Sequence, residues 1–260
     1  MPPTGFHGLI GLLIAGKINS KSKSGKVGFA WGSVFPDLDL LGSVFAYLLT
    51  QNRDFTIYMH RSVTHSLIIM ALILFCGYLI SLIWKQKFPN LFPFIIGLTA
   101  GMLLHSILDL FYLGGVSLLW PLLPMDERIV IVDFTFEDLS PAFNDLLSKI
   151  IATLDGGFEV IYYLVFVHLA GKFNTDEELV VRFRAKTVTI TDWHKKLTLF
   201  AYSLIGVTLT FLVIAFLSIS WPFLDLDTFV IILYIPLSFV YLLTGFLPVL
   251  MRNTVEEISF

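Results

Sequence analysis

The chain has 260 residues, of which 56% are hydrophobic and only 14% charged, with a mean hydropathy of +0.82. Soluble domains average about 25% charged residues, so this composition excludes an ordinary soluble enzyme and predicts an integral membrane protein. A net charge of −3 and a sequence pI near 6.0 exclude the strongly basic face of a nucleic-acid binder.

The first element is a short apolar run over 8–15, preceded by GFHG and followed by Lys17, Lys21, Lys23 and Lys26. A leader would carry its lysines before the apolar run, so no cleaved leader is expected. Residues 17–27 (KINSKSKSGKV) read as a polar, flexible loop. FPDLD at 35–39 follows, where Pro36 can open a helix and Asp37 or Asp39 can cap one. Two such carboxylates amid apolar residues exceed what capping needs.

HRSVTHS at 60–66 places His60, Arg61, Thr64 and His65 where an apolar segment, 64–84, begins. Segments 91–113, 197–220 and 228–251 have comparable length, enough to cross about 30 Å of hydrocarbon at about 1.5 Å per residue. The second of the four carries His105 and Asp109, four apart and so on one helix face. An aspartate at the centre of a span costs about 2.5–3.5 kcal/mol on insertion scales, so a compensating partner is expected. Asp155 and Glu159 repeat that spacing, with a helix-weakening Gly pair between them. Segment 158–170 is too short to span and is expected to be interfacial or packed on the protein. Over 180–191 apolar and polar residues alternate, which predicts a small β ribbon with Arg182, Arg184 and Lys186 on one face and a phase slip near Lys186.

The expected fold is therefore an all-α integral membrane protein of about four transmembrane helices plus short interfacial helices, with a β ribbon near 180–191. Its expected parts are a membrane-embedded helical unit over 1–170, a polar and basic connection over 171–196 and a C-terminal helix pair and tail over 197–260. Most Lys and Arg near span ends fall on the side of the N-terminal region and the 114–196 connection, against Lys85 and Lys87 opposite. That imbalance places the larger portion on the cytoplasmic side of the plasma membrane.

The chemistry-bearing residues are histidines and carboxylates without a thiolate, a donor set suited to zinc, manganese or iron in a hydrolytic site. Several His/Asp clusters in one apolar region are hard to explain as separate helix-pinning devices, because each buried polar group costs free energy unless paired or ligated.

GFHGLIG, FPDLD, HRSVTHSL and GMLLHSILDLFYLGGVSLLWPLLP, in this order over roughly 5–124, resemble the YdjM-like family of membrane-bound proteins inferred to be metal-dependent hydrolases. That family is in turn distantly similar to the zinc-dependent phospholipase C and single-strand nuclease superfamily. Residue by residue, the resemblance implies His7, Asp37 or Asp39, His65, His105 and Asp109 as metal ligands, with Asp155 and Glu159 where the soluble enzymes have a histidine and a glutamate. Those enzymes also use an N-terminal tryptophan, where this chain reads Met-Pro-Pro, and a further histidine, where it reads LFYLGG. One or two divalent ions, with zinc foremost, are therefore expected in place of a three-metal cluster.

The expected activity is hydrolysis of a phosphate ester in a lipid or lipid-linked substrate drawn from the membrane. Asp37 or Asp39 would orient or deprotonate water, Arg61 would offset developing charge, and His60 stands beside it as a further catalytic residue. Two rival readings use the same residues: a metal- or proton-handling transporter, and a scaffold whose metal only staples helices.

Overall fold

In a computed structural model, the described residues are 4–18, 22–50, 59–111, 115–131, 140–173, 178–183, 186–191 and 193–220, with 225, 228–229 and 232–233. Their helices are α1 (Thr4–Lys17), α2 (Lys23–Gly32), α3 (Asp39–Thr50), α4 (Leu67–Ile83), α5 (Leu91–Asp109), α6 (Pro141–Phe173) and α7 (Trp193–Ser220), with a 3-10 turn over Phe35–Leu38. Strands β1 (Glu178–Phe183) and β2 (Lys186–Thr191) pair antiparallel, with Phe183 opposite Lys186, where the alternation slips.

Close backbone approach builds the unit that carries the site. A Cβ on Gly28 would lie 2.1 Å from the Phe94 carbonyl, and one on Gly32 2.1 Å from that of Leu98. From the opposite side, Cβ atoms on Gly97 and Gly101 would meet the carbonyls of Gly25 and Phe29 at 2.1 and 2.3 Å. The α2–α5 interface is thus a stripe of small residues that lets two backbones touch, a packing mode favoured where lipid removes the usual hydrophobic drive. This corrects the expected loop over 17–27. Helix α2 begins at Lys23, with the Ser22 hydroxyl accepting from Gly25 N at 3.3 Å. Packing against α5 and that N-cap override the weak local propensity of KSKSGKV.

Helix α1 lies between α2 and α6. Gly5 and Gly8 face Phe158, Glu159 and Tyr162 of α6, and Gly11 faces Ser33 after α2. Glu159, Val160, Tyr162 and Tyr163 of α6 are buried while Phe158, Ile161 and Val165 are exposed, so one face of 158–165 packs on the protein. The Gly156–Gly157 pair does not break the helix, which runs unbroken from Pro141 to Phe173 and across the expected boundary at 170.

Helices α4 and α5 are antiparallel neighbours. Gly77 lies against Ile95, Met70 clusters with Leu98 and Met102, and Ser106 Oγ donates to the His65 carbonyl at 3.3 Å. Ser66 caps α4 by accepting from Ile68 N and Ile69 N. Of the expected spans, α5 alone is long and apolar enough to cross a membrane among the described residues, while Leu67–Ile83 and Tyr202–Leu217 are shorter apolar helices. Most of 228–251 lies outside the described residues. Within α4 only Met70 and Gly77 are buried. A helix apolar all round yet outward-facing suits lipid better than water.

Candidate metal centre

Gly97, Gly101, His105 and Asp109 follow one another at four-residue intervals on the buried face of α5. The stripe that admits α2 therefore ends in two ligand-type side chains. Around them converge His7 from α1, Asp37 from the 3-10 turn and His65 from the turn before α4. His7, His65 and His105 are 0% exposed, Asp109 1% and Asp37 2%. His105 Nε2 lies 3.3 Å from Asp37 Oδ1 and 3.6 Å from Asp109 Oδ2, and His65 Nε2 lies 3.2 Å from Asp109 Oδ2. His7 completes the group, with Nε2 3.4 Å from Asp109 Oδ1, Nδ1 3.6 Å from Asp37 Oδ2, and its ring centroid 3.8 Å from that of His105.

The outer contacts fix how the imidazoles face inward. His105 Nδ1 is 2.8 Å from the Ser33 carbonyl, which can only accept, so Nδ1 carries a hydrogen and the ring turns Nε2 toward the carboxylates. Thr64 Oγ1 donates to Asp39 Oδ2 at 2.6 Å and lies 3.0 Å from His65 Nδ1. The single hydroxyl hydrogen goes to Asp39 or to the Pro36 carbonyl 3.0 Å away, so the hydroxyl accepts from Nδ1 and the His65 ring turns Nε2 inward. Both Nε2 atoms thus point at carboxylate oxygens. His7 Nδ1 and Nε2, Asp37 Oδ1, His65 Nε2, His105 Nε2 and both Asp109 oxygens are buried and make no hydrogen bond. Carboxylate oxygens and ring nitrogens this close in a low dielectric need positive charge between them, which either a metal ion or protons on the imidazoles supply.

One atom from each of Asp37, His65, His105 and Asp109 fits within a 4.8 Å group, so these four can hold a metal ion. Ligand bonds of about 2.0–2.2 Å at tetrahedral angles set donor atoms about 3.3–3.6 Å apart, close to the 3.2, 3.3 and 3.6 Å of the His65–Asp109, His105–Asp37 and His105–Asp109 pairs. Burial would push the Asp37 carboxyl up, but the His105 and His7 imidazoles hold it well below the ordinary carboxylate range. Burial, reinforced by His105, lowers His7, so that ring stays neutral.

A family profile described as YdjM inner membrane protein matches residues 1–240. The chain belongs to that family. Neither the curated proteins nor the solved structures give a match. Membership in the YdjM inner membrane protein family accounts for the outward apolar faces of α4 and α5. His65 before α4 and His105 and Asp109 at the end of α5 lie at one end of that helix pair.

The remaining expected site residues divide around this centre. Asp37 faces inward, whereas Asp39 faces His60, whose Nδ1 lies 2.5 Å from Asp39 Oδ1, and Asp39 Oδ2 accepts from Arg61 N at 3.2 Å. Burial opposes ionisation of Asp39, yet the His60 imidazole holds its carboxyl far below the ordinary range. Arg61 is buried with φ 67°, in the left-handed region uncommon for a side-chain-bearing residue. Its Nε lies 3.5 Å from Asp109 Oδ2. Glu159 lies apart from the four-residue group, where its Oε1 accepts from Gly5 N at the start of α1. A carboxylate there complements the positive end of the helix. The Asp155 side chain lies outside the described residues.

Sequence reasoning missed Thr4, Ser33 and the role of Thr64. Thr4 Oγ1 donates to Asp37 Oδ2 at 2.5 Å and so fixes that carboxylate. Only the small-residue pairs at 28/32 and 97/101 signalled which helices would meet.

Proposed function

We propose that this protein is a membrane-embedded, metal-dependent hydrolase of a phosphate ester in a lipid or lipid-linked substrate. The convergence of Asp37, His65, His105 and Asp109 carries this reading, because that set of ligand atoms suits a divalent ion of the zinc, manganese or iron class. Such an ion supplies Lewis acidity toward a phosphoryl oxygen and acidifies water. His7 closes the group from α1, with both ring nitrogens against carboxylate oxygens. Arg61, held beside Asp109, supplies positive charge for phosphate oxygens. Asp39 orients His60 and, through Thr64, fixes the ring of His65, while Thr4 steadies Asp37. The Lys and Arg distribution supports a cytoplasmic-side location for the centre.

The test is metal content by mass spectrometry of detergent-purified protein beside a His105→Ala/Asp109→Ala double variant, followed by hydrolysis assays on phospholipid vesicles and a soluble phosphodiester. The expected result is about one or two ions per chain, lost together with hydrolysis in the variant. A wild-type chain that binds no metal after reloading, or a double variant with unchanged turnover, would overturn the reading.

A further inference from the structure

Residues 115–131, between α5 and α6, form a non-helical strap sewn to the centre by its backbone. Ser117 N donates to the Arg61 carbonyl at 3.1 Å, and Leu67 N to the Leu118 carbonyl at 2.9 Å. Arg128 Nη2 donates to the His60 carbonyl at 3.2 Å, and Ile131 N to that of Leu110 at 2.9 Å. Val116 and Ile129 pair with each other across the strap. Each of these bonds reaches the turn that carries His60, Arg61 and His65, the first residue of α4 or the end of α5, or closes the strap on itself.

The outer side of the strap is apolar. Leu119, Leu122, Leu123, Ile129, Val130 and Ile131 are exposed, with Leu122 78% so, and only the tip at Asp126 and Glu127 is acidic. Two observations say what covers it. Leu103 and Ile107 of α5 and Phe111 just after it are exposed as well, and the strap is bonded beside them through Ile131 N and the Leu110 carbonyl, in a chain of an inner membrane protein family. Because α4 starts and α5 ends at the strap, its leucines stand at the membrane level of the centre and not at the Lys85–Lys87 end. Outward leucines and isoleucines flanking a polar tip match a lipid leaflet with acyl chains below and water above.

We infer that the strap seats its outward leucines among the acyl chains of one leaflet and is the surface by which a bilayer lipid brings its phosphate to the centre. The second half of this inference rests on the reading given under Proposed function. A lipid held there needs no extraction into water, so acyl burial is kept while the headgroup reaches Arg61 and the His/Asp group.

Two measurements test it. A nitroxide on Leu122→Cys in a Cys76→Ser background, reconstituted in phosphatidylcholine vesicles, is expected to be relaxed more by oxygen than by a water-soluble nickel complex, and one on Glu127→Cys the reverse. A Leu122→Asp/Leu123→Asp variant is expected to keep its metal and its soluble phosphodiester hydrolysis while vesicle phospholipid hydrolysis falls about tenfold or more, the order one lost leucine contact supports. A Leu122 label relaxed chiefly by nickel, or a variant that loses both activities together or neither, overturns the inference. Should the wild type hydrolyse neither substrate, the function reading fails and the two labels alone decide whether the strap lies in lipid.

Discussion

Asp37 and Asp39 differ in role because of where each side chain points, not because of chemistry. Two residues on a helical or 3-10 turn are separated by about 200–240° around the axis, so both cannot face one centre. Asp37 turns inward to His105, and Asp39 turns to His60 and Thr64. Thr64 then matters more than its chemistry suggests. Replacing Thr64 with Val removes the acceptor for His65 Nδ1–H, and metal affinity is expected to fall about 10–100-fold with the fold retained, as a competition titration against a chromophoric chelator would show. Asp39 also sets a pH dependence. Its folded carboxyl titrates below its ordinary value of 3.8. Its contribution is therefore complete above that value and is lost as pH falls toward the folded value. Unfolding of metal-free Asp39→Asn should accordingly show a shallower loss of stability below pH 3.8 than wild type.

Among the elements, the α2–α5 contact decides whether the centre exists. Gly101 stands one turn before His105, and a methyl there would press on the Phe29 carbonyl at 2.3 Å, a backbone atom that cannot swing away. Gly101→Ala is expected to cost about 1–3 kcal/mol and to displace His105 from Ser33, lowering both thermal stability and bound metal. Gly206 on α7 offers the matched control, since nothing lies within 4 Å of an added Cβ. Gly206→Ala should be neutral or stabilise by up to about 1 kcal/mol. If the two substitutions behaved alike in a thermal scan, close helix approach would not be what assembles the site. Asp109 also sits more cheaply than its sequence setting predicts. It is the last residue of α5, near one end of the span, where burying a carboxylate costs less than at mid-bilayer.

For the molecule as a whole, the outward apolar faces make an expectation about Cys76. It is exposed on α4, whose neighbours Leu72, Phe75 and Leu79 are exposed as well. In intact membranes Cys76 should resist a membrane-impermeant maleimide and become reactive only once the bilayer is dissolved. Labelling in sealed vesicles would mean that this face of α4 meets water. The same apolar surface explains why the buried charge is tolerated: the helices bring it together at one end, away from the lipid-facing sides.

Composition alone determined that this is a membrane protein, since 56% hydrophobic and 14% charged residues leave too few polar groups to cover a soluble surface, and the length of the apolar segments made it helical. The four-residue spacing of His105 and Asp109 was likewise legible, because a helix puts such residues on one face whatever surrounds them. The tertiary structure decided the rest. It chose Asp37 over Asp39 for the inner group, gave Glu159 to the first amides of α1, and made Thr64 and Ser33 fix the two imidazoles. Those choices depend on which backbones can touch, and that distance is set by glycines on two helices far apart in the chain.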